Sequence, residues 1–188
     1  GTFGTFGCFS FFPTKNLSAI GDGGMICCND NSLASKIRCL REYGWNKQRN
    51  ACYIGINSRL DEIQAAILNV KIKYLNKDNI ARRTIAKKYN KKIVNPLIIK
   101  PRENVNSYHV YHLYVIRIKK RDKFIKYLKE NKIIAGIHYK LPVHKQSIYY
   151  NSKIKDLINT EKICKELISL PIYPGLNSAQ QNKIIKLT

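Results

Sequence analysis

From Ser58 into the early 90s the chain keeps one helical period, with Leu60, Ile63, Gln64, Ile67, Val70 and Leu75 recurring at the spacing of a helix face. Ser58 with Asp61 three positions later forms a capping-box-like start, and a break is expected near Asn76 to Asn79. So long a helical segment divides the chain, and the two sides differ in pattern. Ahead of it, Cys8 to Phe12 and Gly24 to Cys28 read as short strands, and residues near 31 to 43 as a helix stopped by Gly44. The stretch 45 to 56 has no period and reads as a loop. Behind it, Pro96, Pro101 and the polar run Arg102 to Ser107 mark a boundary. Val110, His112, Tyr114, Ile116 and Ile118 then alternate as a strand does. A helix near 121 to 131, a strand near 134 to 139 and helices near 160 to 169 and 178 to 186 complete an α/β pattern. The expected organisation is residues 1–57, a connecting helical segment over 58–94, and a small α/β domain over 95–188.

The chain of 188 residues carries 34 Lys and Arg against 12 Asp and Glu, a formal charge of +22. Such a balance raises nucleic acid or an anionic membrane as partners. The basic residues are spread rather than gathered in a tail, and they accompany many Ile and Asn, as a composition bias would produce. Nucleic-acid binding therefore stands as an alternative of a different class, behind the catalytic reading below. Cysteines at 8, 27, 28, 39, 52 and 164 form no Cys-x-x-Cys pair and no zinc spacing with histidine, so no metal site is expected. No apolar run approaches the roughly twenty residues that span a bilayer, and no signal peptide is visible. A cytoplasmic location without membrane contact is the expectation.

One lysine stands out. Lys15 lies in Cys8-Phe9-Ser10-Phe11-Phe12-Pro13-Thr14-Lys15-Asn16-Leu17, an apolar turn followed by Gly21-Asp22-Gly23-Gly24. Apolar surroundings disfavour the charged ammonium, which makes Lys15 a candidate former of a Schiff base. The same residues also permit a strand-end lysine whose stem lies on aromatics and whose head is in water.

Those two segments resemble the cofactor-lysine motif of the DegT/DnrJ/EryC1/StrS family of sugar aminotransferases. Further blocks match in order: Leu40-Arg41-Glu42-Tyr43-Gly44-Trp45, Gly55 to Leu68 containing Asn57-Ser58-Arg59-Leu60, Tyr111-His112-Leu113-Tyr114, Gly136-Ile137-His138-Tyr139 with Pro142 and His144, and Leu170-Pro171-Ile172-Tyr173-Pro174. The resemblance covers nearly the whole chain. It implies the C-terminal portion of fold type I of the pyridoxal-phosphate transferases: the end of a large α/β/α domain, a long connecting helix and a small α/β domain. Family members are longer and carry the lysine near their middle, and Gly1 is not an initiator methionine. The 188 residues alone are accordingly expected to bind cofactor weakly and not to transaminate.

By resemblance, Lys15 forms the internal aldimine with pyridoxal 5′-phosphate and later moves a proton between substrate and cofactor. A related dehydratase branch has His at this position, so Lys favours transamination. Ser10 matches a serine that bonds the cofactor phosphate, with a strand-end hydroxyl as the plain alternative. Asn57 matches an asparagine that reaches the cofactor of the neighbouring subunit, which implies a homodimer with shared active sites. Arg59 suits a substrate phosphate or an ion pair with Glu62 or Glu42. Lys47 and Arg49, on the 43-to-53 loop, suit a pyrophosphate or simply solvent. His138, Tyr139 and His144 fall where the family places a sugar-proximal segment, with ordinary packing of aromatic and imidazole groups at a strand end as the plain alternative. The resemblance implies conversion of a nucleotide-linked keto-deoxysugar, with dTDP as carrier and glutamate as amino donor, to its amino sugar. It looks most like the branch that aminates C-3, although enzymes that aminate C-4 share most of the same motifs. A catalytically silent relative acting as partner or regulator is the remaining alternative.

Overall fold

The computed structural model describes residues 3–149 and 157–188. The chain divides into two units, Gly1–Asn76 and Lys77–Thr188, with the dividing point inside the helical segment.

In the first unit β1 (Gly7–Ser10) pairs antiparallel with β2 (Gly24–Cys27), placing Gly7 opposite Cys27 and Ser10 opposite Gly24. The connection between them is closed by Phe11 N–H donating to Gly23 C=O and Ala19 N–H to Phe11 C=O, both at 2.8 Å. Phe11, Ala19 and Leu68 form a small core beneath it, flanked by Leu17 and Leu60. On the ribbon itself Phe9, Met25 and Ile26 stay exposed.

Helix α1 (Asn31–Leu40) starts at Asp30, whose carboxylate accepts the Ser32 and Leu33 N–H groups at 2.7 and 3.0 Å. Its last carbonyls are satisfied from outside the helix. Gly44 N–H donates to Cys39 C=O at 2.8 Å, Ile56 N–H to Leu40 C=O at 2.8 Å, and Ser58 N–H to Arg41 C=O at 2.9 Å. The chain can cross so closely only because Gly44 and Gly55 lack side chains. Gly44 has φ +76°, and a Cβ there would lie 1.8 Å from the Tyr53 carbonyl oxygen.

Helix α2 (Glu62–Lys71), a 3₁₀ turn (Ile72–Tyr74) and helix α3 (Leu75–Lys92) follow one another. Two expectations shift here. The helix begins at Glu62, with Asp61 as its cap residue, because Ser58 is committed to closing α1. The irregularity falls at Ile72–Tyr74 rather than near Asn76 to Asn79.

In the second unit β3 (Tyr114–Arg117) pairs antiparallel with β4 (Leu167–Leu170), Tyr114 facing Leu170. Ile99 bridges Arg117 on the outer side of β3, and Gly136 bridges Ser169 on the outer side of β4. Helices α4 (Arg121–Glu130), α5 (Ile158–Glu166) and α6 (Ser178–Leu187) complete the unit. The expected strand over 134–139 is reduced to the Gly136 bridge, with Ile134 88% exposed. The expected helix over 160–169 ends at Glu166, and 167–170 is a strand buried along its whole length. Leu167 is already extended, and no Gly or Pro marks the switch. Likewise the strand expected from Val110 starts at Tyr114.

The core here is aromatic and aliphatic: Tyr89, Tyr114, Ile93, Ile116, Leu128, Ile168 and Leu170 are fully buried, each large apolar side chain contributing about 1.5–3 kcal/mol. Tyr89 and Tyr114 meet edge to face at 5.1 Å, and their hydroxyls donate to Pro171 C=O at 3.0 Å and to Asn90 Oδ1 at 2.6 Å. Burial pushes both phenols well above their usual range of titration.

Arg82 of α3 is buried, and its Nη1 donates to three carbonyls: Tyr111 and His112 at 3.3 Å and Ile172 at 2.9 Å. Arg82→Met keeps the stem and removes the donors. It is expected to lower stability by about 2–4 kcal/mol in urea unfolding; a loss under about 0.5 kcal/mol would mean that the carbonyls find other donors.

Further along, His144 Nε2 lies 3.0 Å from Glu161 Oε1, and Lys145 Nζ 3.4 Å from the same oxygen. A carboxylate only accepts, so Nε2 carries the proton. The His144 hydrogen bond first, then Lys145 and the Leu157 N–H, hold the Glu161 carboxyl below its ordinary range. A depressed folded pKa contributes stability at pH above the unfolded value, and that contribution is lost as pH falls through the folded one. The Glu161 carboxyl carbon should therefore titrate in NMR below the usual ~4.3. His144→Phe should raise that midpoint, and an unmoved midpoint would remove the histidine as its main cause.

Candidate active site

Lys15 sits on the turn that leaves β1. Its backbone N–H donates to Phe12 C=O at 2.8 Å, which fixes the turn, while the residue itself is half-buried rather than enclosed. Ser10, exposed at the end of β1, accepts the Phe12 N–H on its Oγ at 3.3 Å. That bond uses a lone pair and leaves the hydroxyl proton to donate elsewhere. The far arm of the same turn is tied to α2. Ile20 N–H donates to Gln64 Oε1 at 2.9 Å, and Lys71 Nζ donates to Ser18 Oγ. Gln64 thus positions the lysine turn, a role hidden in the sequence because its place in the helical period reads simply as one more helix residue.

Asn57 and Arg59 are brought together. Arg59 Nε donates to Asn57 Oδ1 at 3.0 Å, and the guanidinium lies 5.9 Å from the centre of the Tyr43 ring. With its oxygen accepting from Arg59, the two amide protons are the donors that the Asn57 side chain has to offer. Among the described residues Arg59 pairs with neither Glu62 nor Glu42; Glu42 meets Arg41 at 3.4 Å instead. Asn57 also bridges Glu42 across the strap that closes α1, so its backbone is fixed by the same crossing that requires Gly44. Tyr43 packs in turn on Trp45 at 4.9 Å. The sequence marked the Tyr43-Gly44-Trp45 block but not the contact with Arg59.

The loop carrying Lys47 and Arg49 has more order than its lack of periodicity suggests. Trp45 and Ala51 bridge, Asn46 N–H donates to Asn50 C=O at 2.9 Å, and Asn46 Oδ1 accepts the Gln48 and Asn50 N–H groups at 3.0 Å. Lys47 and Arg49 project from this small loop into solvent, Arg49 with φ +59°. In the second unit His138 and Tyr139 are both exposed, with their rings 5.6 Å apart, and His138 Nδ1 lies 2.8 Å from the Oγ of buried Ser169. Ser169, on the strand that sequence patterning read as helix, was not foreseen as its partner. His109 and His112 lie on a loop rather than a strand, where His109 Nδ1 accepts the Tyr111 N–H at 2.8 Å. Among the described residues no cluster of His, Cys, Asp and Glu could hold a metal, and no helix is long and apolar enough to cross a membrane.

The chain is similar to known proteins over nearly its whole length. Residues 1–187 match the DegT/DnrJ/EryC1/StrS aminotransferase family. A dTDP-3-amino-3,6-dideoxy-alpha-D-galactopyranose transaminase of Aneurinibacillus thermoaerophilus is 43% identical over 186 residues, which are 99% of this chain and 51% of the relative. A protein of Geobacillus stearothermophilus named pleiotropic regulatory protein is 42% identical over 191 residues, again 99% of this chain and 51% of the relative. Among solved structures, DesV of S. venezuelae in complex with a ketimine intermediate superposes with a TM-score of 0.92 at 32% identity, over 98% of this chain and 51% of that one. The chain therefore spans about half the length of the curated relatives it matches. Its architecture is that of a C-terminal portion of fold type I. On the match over nearly its whole length, the chain belongs to the DegT/DnrJ/EryC1/StrS aminotransferase family.

Proposed function

We propose that these residues serve a pyridoxal-phosphate-dependent aminotransferase that converts a nucleotide-linked keto-deoxysugar, carried on dTDP, to its amino sugar with glutamate as amino donor. The observation that carries the reading is Lys15 on a turn anchored at both ends, to Phe12 on one side and through Ile20 to Gln64 on the other. Pyridoxal phosphate is the family's cofactor, and when bound it supplies the electron sink for proton removal at the carbon that bears nitrogen.

The donors present suit that group. A phosphorylated aldehyde needs an amine at one end and hydrogen-bond donors for the phosphate at the other. Lys15 offers the amine, and Ser10 a hydroxyl proton on the same turn. Asn57 offers amide protons, which in the homodimer we propose would reach the phosphate of the neighbouring copy's site. Lys15 holds the cofactor and then, as a free amine, moves the proton at the reacting carbon. Arg59, set by Asn57 and Tyr43, and Lys47 and Arg49 on their loop present cations to the pyrophosphate of the nucleotide. His138, oriented by Ser169, and Tyr139 offer an imidazole and a phenol to sugar hydroxyls. We place the enzyme in the cytoplasm, where nucleotide sugars are made.

The relative named pleiotropic regulatory protein favours a second reading, a member that binds cofactor and regulates without transferring an amino group. One experiment separates the two. The full-length protein is incubated with pyridoxal phosphate, reduced with borohydride and mapped by peptide mass, with amino transfer from glutamate to a dTDP-keto-sugar assayed in parallel. The pyridoxyl mass is expected on the peptide containing Lys15, with Lys15→Ala losing both label and transfer. Label without transfer would favour the regulatory reading, and label only on other lysines would remove Lys15 from its role.

A further inference from the structure

The proposed chemistry uses nothing from a cavity of about 650 Å³ that lies wholly within the second unit, between the Leu97-to-Ile99 segment, the end of β3 and the face of α4. Its volume falls among small-molecule sites, roughly 300–1,000 Å³. Leu97, Ile99, Phe124 and Tyr127 supply an apolar floor. Leu97 is 72% exposed and Ile99 54%, so this floor is open to a ligand.

Lysines 119, 120, 123 and 162 surround that floor. The single carboxylate of the lining, Glu166, is already engaged by Arg117, whose Nε and Nη2 donate to its Oε2 at 3.1 and 2.8 Å. This pair neutralises itself, and among the described residues none of the four lysines has a carboxylate within ion-pair distance. The cavity therefore joins an apolar surface to an uncompensated positive rim. A neutral apolar molecule would leave the ammonium groups without a counter-charge, and a small inorganic anion would leave the floor in water.

We propose that this cavity binds an organic anion with an apolar tail or ring, its body on Leu97, Ile99, Phe124 and Tyr127 and its anionic head among the lysines. Burial of the tail provides affinity, and the charge selects the carboxylate over its neutral counterpart. Because the four lysines are exposed, each adds a modest, salt-sensitive increment rather than a fixed ion pair.

The test uses octanoate as probe, with 1-octanol as the neutral comparison, and reads methyl resonances of Leu97 and Ile99 in the whole chain. Octanoate is expected to shift those methyls saturably. Lys123→Gln with Lys162→Gln should weaken it about fivefold, and high salt should do the same. Octanol should bind no better than octanoate does to the double variant, and Leu97→Ser, at an exposed position, should weaken both ligands while leaving the fold intact. Shifts confined to other apolar surfaces such as Phe9 and Met25, an unsaturable response, or equal affinity of octanoate before and after lysine removal would each overturn the proposal.

Discussion

The second unit depends on how one buried cation is satisfied. Among the described residues no carboxylate is in ion-pair contact with Arg82 of α3, so backbone oxygens do the work: two from the loop before β3 and one from the segment after β4. Segments far apart in sequence are thereby fixed against one helix. The same helix then repeats the strategy with other chemistry. Arg83 reaches Glu103 and the His109 carbonyl, Tyr89 the Pro171 carbonyl, and Lys100 closes the end of α3 on the Asn90 and Ile93 carbonyls. Helix α3 is a spine whose polar side chains bind loops while its apolar ones form the core. Burial lowers the Arg82 pKa and Asp78 opposes that, yet guanidinium remains charged at any ordinary pH. Arg82 Nε is buried without a partner, a cost the three carbonyl bonds must outweigh.

The first unit is organised by close approach instead. At Gly44 and Gly55 the backbone crosses itself with no room for a side chain, and that crossing supplies the donors that finish α1. Local order and the proposed site are coupled through it. Asn57 cannot shift without disturbing the end of α1, and Arg59 takes its direction from Asn57 and Tyr43. The cation proposed to meet the substrate's pyrophosphate is thus set by a helix cap two steps away.

What could be read in the sequence follows from which signals are local. The helix ahead of Gly44, the helical period through Ile63, Ile67 and Val70, and the family resemblance of the Lys15 motif were legible because each is written within a few residues. The strand at Leu167–Leu170 was not, since a short apolar run buried on both faces carries no alternation and here adjoins a helix without punctuation. The 134–139 strand failed for the opposite reason: its apolar residues suggested pairing, but only Gly136 meets a neighbour. Contacts such as Gln64 with Ile20, or Ser169 with His138, join positions far apart and leave no local trace.

The turn bearing Lys15 ends in a different kind of consequence. Its backbone is pinned by its own hydrogen bond, whereas its side chain is a chain of single bonds reaching out from a half-buried base. A fixed pivot with a pliant arm gives the amine a defined sphere of reach rather than one position. In the role proposed for it, the amine is first attached to a partner and then stands beside it, and a rigidly enclosed lysine would have only one of the two postures.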